Sequence, residues 1–201
     1  MTIPRYWSQA VTELTGRDAN LARVIGQARD THLQRRADAF GALARAIVGQ
    51  QISTQAARSV WTRLVDCVPR FAPEALAAAD HLTLRGAGLS KQKALYVQDL
   101  ASHFATGSLD PRRWRRMDDE SIIEDLTRVK GIGRWTAEMF LIFHLQRPDV
   151  LPVGDLGLQK AMSVHYNRGR PLNEKKLRRL AEPWAPWRTV ATWYLWRSLK
   201  P

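Results

Sequence analysis

LTRVKGIGRWTAEMFLIF, residues 126–143, is the stretch of sequence that decides the fold. It predicts a helix, a tight turn and a second helix, because two glycines around one apolar residue let the backbone turn sharply and approach another backbone closely. The first amides of the second helix then point outward, where the helix dipole favours an anion. With Lys130 and Arg134 beside it, the turn is predicted to bind a phosphate; a plain packing corner between two helices is the alternative.

The rest of the chain shows the same helical pattern. Apolar residues recur at three- and four-residue steps, and no convincing run alternates with a period of two. Pro73 in a first turn, Gly107 at a helix end, and Asp118 and Asn173 as N-caps support the boundaries. We therefore predict an all-α protein with helices at 19–29, 38–48, 54–68, 73–79, 91–106, 118–128, 134–145, 156–166, 173–181 and 187–198.

The segment from Gln146 to Gly154 interrupts this pattern with two prolines and a glycine, which predicts a seam there. At this length we expect a single functional unit covering 1–201. It is expected to form two helical lobes with a DNA-binding cleft between them. The central lobe covers 38–146 and includes the hairpin at 126–143, and the second lobe combines 1–37 with 147–201.

The composition narrows the function classes. The net charge is +12, carried mostly by arginine, and a charge this far from zero favours a polyanionic partner; solubility alone is the other reading. Cys67 is the single cysteine, which excludes a disulfide framework, a cysteine-ligated zinc site and an iron–sulfur cluster. The longest apolar run, Met139–Phe143, is far shorter than the roughly 20 residues of a membrane span. We expect a protein of a reducing compartment with no membrane partner.

Three segments, in this order, resemble one known family. AIVGQQISTQAARSVWTRL (46–64) is similar to the helix–loop–helix that carries the intercalating loop in alkylation-specific DNA glycosylases. VKGIGRWTAEMF (129–140), followed by RPDVLPVGDLGLQKAM (147–162), resembles the helix–hairpin–helix and the Gly/Pro-rich loop with an aspartate of that superfamily. AEPWAPWRTVATWYLW (181–196) resembles the C-terminal signature of the 3-methyladenine DNA glycosylase II group. The chain looks like a compact version without the N-terminal β-rich domain.

Asp155 is the residue that the resemblance places at the catalytic position. A carboxylate beside the positive charge that develops on the sugar during base release stabilises that charge, and it can position or deprotonate the attacking water. An aspartate directly before LGLQKAM is also a good helix N-cap. The two roles are compatible, because a capping carboxylate is held in one orientation.

The base pocket is also implied by the resemblance. It places Trp135, Met139 and Trp196 there, with Leu156 beside them. Met139 and Leu156 each stand where an aromatic residue is common in the family, so the base preference is left open. Aromatic faces suit purines alkylated at N3 or N7, which already carry positive charge. Ordinary helix-face packing is the alternative for both tryptophans.

Contacts with DNA follow from the same resemblance. An enzyme that acts on a base must extrude it from the duplex, and something must fill the gap. Gln51 and Ile52 occupy the position of this intercalating wedge; an inter-helix turn capped by Ser53 is the alternative. The residues expected at the DNA phosphates are Lys130, Gly131, Gly133, Arg134 and Thr136. The backbone carbonyls of Thr127, Val129 and Gly131 match those that hold Na⁺ or K⁺ in the family, and no other cofactor is expected.

Trp135 bears on the type of reaction. Family members that also cut the DNA backbone carry a lysine at this position, and no lysine lies between Gly133 and Asp155. A Schiff-base mechanism is therefore not expected.

These observations predict a monofunctional, monomeric glycosylase that removes alkylated purines of the 3-methyladenine and 7-methylguanine type from double-stranded DNA by base flipping and leaves an abasic site. It would work in the bacterial cytoplasm or, in a eukaryote, in the nucleus. A non-catalytic helix–hairpin–helix DNA-binding module and a glycosylase for a different damaged base are the alternatives.

Overall fold

The computed structural model describes residues 3–28, 32–34 and 38–199, and within these ranges it contains helices and no strand. The all-α prediction is confirmed. The helices are α1 (Trp7–Arg17), α2 (Ala19–Gln27), α3 (Ala39–Gly49), α4 (Thr54–Cys67), α5 (Pro73–Ala78), α6 (His81–Gly86), α7 (Lys91–Ala105), α8 (Asp119–Thr127), α9 (Arg134–Phe140), α10 (Leu156–Tyr166), α11 (Glu174–Ala181) and α12 (Arg188–Arg197). Short 3-10 turns lie at Pro69–Phe71 and Glu182–Trp184, and a π-helical turn lies at Leu141–Leu145.

Each predicted helix is present, with its ends within a few residues of the expected ones. Residue 29, the predicted end of the second helix, lies outside the described residues. The prediction missed α1 and α6. The first buries only Trp7, Ala10 and Leu14 among polar neighbours, and the second has six residues, too few to show a helical period.

Side-chain caps set most of the helix starts. Asp118 accepts a hydrogen bond from the Ser121 amide, and Asn173 accepts one from the Lys176 amide, as predicted. Asp18 caps α2 in the same way. Since these oxygens satisfy amides that have no partner inside the helix, the boundaries follow from local sequence.

The chain forms two compact units: Met1–Arg35 with Leu141–Pro201, and Arg36–Phe140. The expected lobe boundary at residue 37 lies outside the described residues. In the unit Arg36–Phe140, the fully buried Trp114 packs edge-on against Phe104 and Phe140.

In the other unit, one carboxylate links several elements. Asp18 Oδ2 accepts hydrogen bonds from the Tyr166 hydroxyl and the Trp184 indole, both at 2.8 Å. Burial, followed by the hydrogen bond to Asp18, raises the pKa of Tyr166 well above its ordinary value. The Asp18 side chain thereby joins the start of α2 to α10 and to the turn after α11.

No helix of the described part is both long and apolar enough to cross a lipid bilayer. Among the same residues, no group of histidine, cysteine, aspartate or glutamate side chains could hold a metal ion.

Candidate functional site

The turn between α8 and α9 takes the sharp form that its glycines predict. Val129 and Ile132 are buried in the unit Arg36–Phe140. Gly131 has a φ of +84°, and a Cβ atom there would collide with the ring of Tyr96. A Cβ atom at Gly133 would meet no atom within 4 Å. The fold therefore requires glycine at Gly131, whereas the space at Gly133 is open to a ligand.

The predicted phosphate-binding cations already face carboxylates. The Arg134 guanidinium bonds Glu120 at 2.5 and 2.8 Å and Glu138 at 3.1 Å, and these partners, Glu120 first, raise the pKa of Arg134 above its ordinary value. The backbone amide of Lys130 donates to Asp99 at 2.8 Å, and the Lys130 ammonium lies 3.5 Å from the same carboxylate.

Thr136 is only 8% exposed. Its hydroxyl is therefore poorly accessible to a phosphate. The first amides of α9 have no partner within the helix, as in any α-helix, so the anion-binding capacity of the turn rests on its backbone.

Two of the three carbonyls expected to hold a cation already accept hydrogen bonds. Val129 O accepts from the Ile132 amide at 3.1 Å, and Gly131 O accepts from the Gln50 side chain at 2.8 Å. A carbonyl oxygen has a second lone pair, so these groups still fit a monovalent cation.

The predicted wedge lies in the turn between α3 and α4. Gln51 is exposed and has a φ of +56°, a conformation that residues other than glycine seldom adopt. Ile52 is 40% exposed. Ser53 caps α4 through the Ala56 amide at 3.2 Å. The turn is therefore capped by Ser53 and also exposes the Gln51 and Ile52 side chains, so the two alternatives stated for this segment are compatible.

Two residues that sequence reasoning missed hold this turn. The Lys93 ammonium donates to Val48 O at 2.8 Å and to Gln50 O at 2.6 Å, and burial lowers the pKa of Lys93. The Gln50 side chain connects the turn to Gly131. One signal was available: Lys93 lies in the first turn of α7, where the helix dipole disfavours a cation, which points to a partner elsewhere.

Asp155 lies at the N-cap of α10, in the unit that contains residues 141–201. Its Oδ1 atom accepts one hydrogen bond from the Leu158 amide and one from the Trp196 indole, each 2.7 Å long. The Gly/Pro-rich loop before it is held by the Asp155 amide bonding Pro152 O at 2.9 Å and by the Gln159 side chain bonding Val153 O at 2.8 Å. The carboxylate therefore has a fixed position and orientation.

Phe143 and Gly157, which sequence reasoning did not assign to the site, position Trp196. The Phe143 ring stacks on Trp196 with centroids 5.8 Å apart and planes 10° from parallel. A Cβ atom on Gly157 would lie 3.0 Å from Asp155 Oδ1 and 3.2 Å from Trp196 Cδ1. Only a residue without a side chain leaves the indole and the carboxylate undisturbed.

The other predicted pocket residues are accessible. Trp135 is 50% exposed and Met139 is partly exposed, both on α9. Leu156 is 78% exposed at the start of α10. Part of the Trp135 and Leu156 side chains is therefore accessible to a ligand and is not buried in the core.

Comparison with known proteins identifies the family of this chain. Residues 44–186 match the model of the HhH-GPD superfamily base excision DNA repair protein family. DNA-3-methyladenine glycosylase 1 of Schizosaccharomyces pombe is 31% identical over 96% of this chain and 88% of its own length. DNA-3-methyladenine glycosylase 2 of Escherichia coli is 31% identical over 79% of this chain, which spans 57% of that protein.

Solved structures share the fold over nearly the whole chain. A DNA-3-methyladenine glycosidase from Bacillus halodurans has a TM-score of 0.90 and 36% identity, covering 98% of this chain and 92% of its own. The 3-methyladenine DNA glycosylase of Schizosaccharomyces pombe, solved in complex with abasic DNA, has a TM-score of 0.81 and 30% identity, covering 94% and 96%. With its hairpin, its capped aspartate and these matches, the chain belongs to the HhH-GPD superfamily of base excision DNA repair proteins.

Proposed function

We propose that this protein is a monofunctional DNA glycosylase that hydrolyses the N-glycosidic bond of alkylated purines, of the 3-methyladenine and 7-methylguanine type, in duplex DNA. One observation carries the proposal: the Asp155 carboxylate is fixed at the N-terminus of α10 by two N–H donors, at the position where the family resemblance puts the catalytic aspartate. The names of the relatives support the substrate class.

The reaction needs little acid catalysis. As the bond between C1′ and the purine nitrogen breaks, its electron pair leaves with the base, whose alkylation charge is thereby neutralised. Positive charge spreads over C1′ and the ring oxygen, and the Asp155 carboxylate stabilises it. Water then adds to C1′, and its proton passes to the carboxylate or to solvent, leaving an abasic site. Trp135 stands where family members that also cut the DNA backbone carry a lysine, so we expect this protein to leave the backbone intact.

Binding is assigned to the unit Arg36–Phe140. The amides at Gly131, Gly133 and the start of α9 would anchor a phosphate, and Gln51, with Ile52 next to it, would fill the gap left by the flipped base. Thr127, Val129 and Gly131 would hold Na⁺ or K⁺ through their carbonyls, where the ion would attract the same phosphate. Replacing K⁺ by tetramethylammonium at constant ionic strength should then weaken duplex binding.

We infer a monomer that acts where DNA is held, in the bacterial cytoplasm or a eukaryotic nucleus. Sedimentation of the protein with and without duplex DNA tests the oligomeric state, and a stable dimer would contradict it.

The testing experiment measures release of free bases from methylated duplex DNA by the wild type and by Asp155→Asn, with the DNA then run with and without alkali. Released methylpurines with strand breaks only after alkali, and no release by the variant, are expected. Affinity for a duplex with a tetrahydrofuran abasic analogue, measured in parallel, should be retained by Asp155→Asn. Breaks without alkali would contradict the monofunctional mechanism. Tight binding without release by either protein would favour the non-catalytic module or another damaged base.

A further inference from the structure

A groove that none of the assigned roles explains lies between α3 and α4. It has a volume of about 950 Å³, and its lining includes Arg45, Gly49, Ile52, Arg58 and Trp61. Gly49 and Ile52 flank the exposed turn that carries Gln51, so the groove opens beside the proposed wedge. A duplex entered by the wedge would therefore lie beside this groove.

The Arg45 side chain lies over an aromatic ring of this groove. Its guanidinium carbon lies 4.6 Å from the centre of the Trp61 ring. Stacking on an aromatic face restrains the guanidinium plane and leaves its N–H edge for oxygen acceptors. Two parallel N–H groups in that geometry match the oxygens of a phosphate. The stack therefore presents a restrained, planar donor set at low conformational cost.

The two arginines of the groove outnumber its one acidic residue. Within the ranges that the structure describes, neither Arg45 nor Arg58 forms an ion pair or a hydrogen bond to a carboxylate. Asp38, the acidic residue of the lining, caps α3 by accepting the Gly41 amide at 3.0 and 3.2 Å. By contrast, Arg134 and Arg188 each bond carboxylates. Two exposed arginines without an acidic partner thus face one groove.

We propose that this groove binds the phosphodiester backbone of DNA through Arg45 and Arg58, at phosphates that border the point where the wedge turn enters the duplex. The site is distinct from the glycine turn between α8 and α9. The proposal rests on the proposed function, because it takes the wedge turn to enter DNA. The two arginines bind phosphates of the DNA backbone while Gln51 displaces a base.

The experiment measures binding to a duplex with a tetrahydrofuran abasic analogue between low and moderate KCl concentrations. Each neutralised phosphate contributes about 0.9 to the slope of log K against log salt, so the double variant Arg45→Ala, Arg58→Ala should lower that slope by about 2 and the affinity by at least about tenfold at low salt. The matched control is Arg115→Ala, Arg116→Ala, which removes the same charge from exposed arginines of the same unit. Its slope should stay near that of the wild type.

Two further arms make the result specific. A single methylphosphonate, placed in turn along each strand, should weaken the wild type at one or two positions and leave the double variant unaffected there, which also identifies the strand. The variant Arg45→Lys, Arg58→Lys keeps the charge and should retain most of the slope. An unchanged Tm of the alanine variant shows that its loss of slope is not a folding defect.

An unchanged slope, or an equal loss by the two alanine variants, would overturn the proposal. Because the tetrahydrofuran duplex needs no catalysis, the two hypotheses fail separately. If the wild type releases bases but the arginine substitutions do not change binding, only the proposed phosphate site in the groove is rejected. If the arginine substitutions lower the salt slope but the wild type releases no base, only the proposed glycosylase activity is rejected.

Discussion

The indole nitrogen of Trp196 lies 2.7 Å from Oδ1 of Asp155, and the Leu158 amide approaches the same oxygen at 2.7 Å. The two donors come from different helices, α12 and α10. Their bonds fix the carboxylate in two directions, and the Phe143 ring stacked on Trp196 keeps the indole in place. We therefore regard Trp196 as a positioning residue for Asp155 as well as a wall of the proposed pocket.

Replacing Trp196 by phenylalanine removes the N–H donor and keeps an aromatic face. A hydrogen bond to a charged group contributes about 1.5–3 kcal/mol, so the single-turnover rate of base release should fall by about 10- to 100-fold, while duplex affinity changes little. Trp193→Phe, the same change on the same helix, is the control, because Trp193 Nε1 bonds no partner in the described part of the chain. Equal losses in the two variants would argue against positioning.

Gly157→Ala tests the same contact from the other side. The added Cβ would lie 3.0 Å from Asp155 Oδ1 and 3.2 Å from Trp196 Cδ1, so the indole must move by a few tenths of an ångström. Alanine in a helix is otherwise more stable than glycine by roughly 0.5–1 kcal/mol. We expect Gly157→Ala to slow base release without lowering the Tm. The double variant Gly157→Ala, Trp196→Phe should release bases hardly more slowly than either single variant, because both changes disturb the same contact. Gly154→Ala, where the Cβ meets nothing within 4 Å, should keep wild-type activity; if it is equally slow, the steric explanation fails.

The two glycines of the hairpin should respond differently to alanine. Gly133→Ala places a methyl group in open space, so the Tm should hold while duplex affinity falls by several-fold, because a bound phosphate would approach that surface. Gly131→Ala must adopt a φ of +84° against Tyr96, and its Tm should fall. Thermal unfolding and anisotropy titrations separate the two effects. Unchanged affinity in Gly133→Ala would remove the turn from the DNA-binding surface.

Lys93→Met tests the support of the wedge turn. It removes the ammonium that bonds Val48 O and Gln50 O and keeps a long apolar stem. We expect the free energy of unfolding to fall by about 1.5–3 kcal/mol, with a lower Tm. Base flipping should also be weaker, as measured by the fluorescence of 2-aminopurine placed beside the lesion. Lys91→Met, an exposed residue two positions earlier in α7, should change neither. A destabilised variant with normal flipping would limit Lys93 to a structural role.

Local sequence was enough for the helices and their caps, and it placed Asp155 at a helix N-terminus. It was not enough for the contacts that orient the site. The Gln50 bond to Gly131 spans 81 positions, the Lys93 bond to Val48 spans 45, and the Trp196 bond to Asp155 spans 41. No pattern within one helix specifies partners so far apart, because they depend on how the helices pack.

Helical periodicity, the two glycines of the hairpin and a capping aspartate were readable from the sequence, since helix periods, turns and caps involve neighbours within about four residues. The tertiary structure alone decided three further points. Arg134 faces Glu120 of the preceding helix, Gly131 must be glycine because the Tyr96 ring lies against it, and Arg45 and Arg58 line one groove. Each depends on how one helix packs against another, and such contacts between side chains of different helices are set by the fold as a whole.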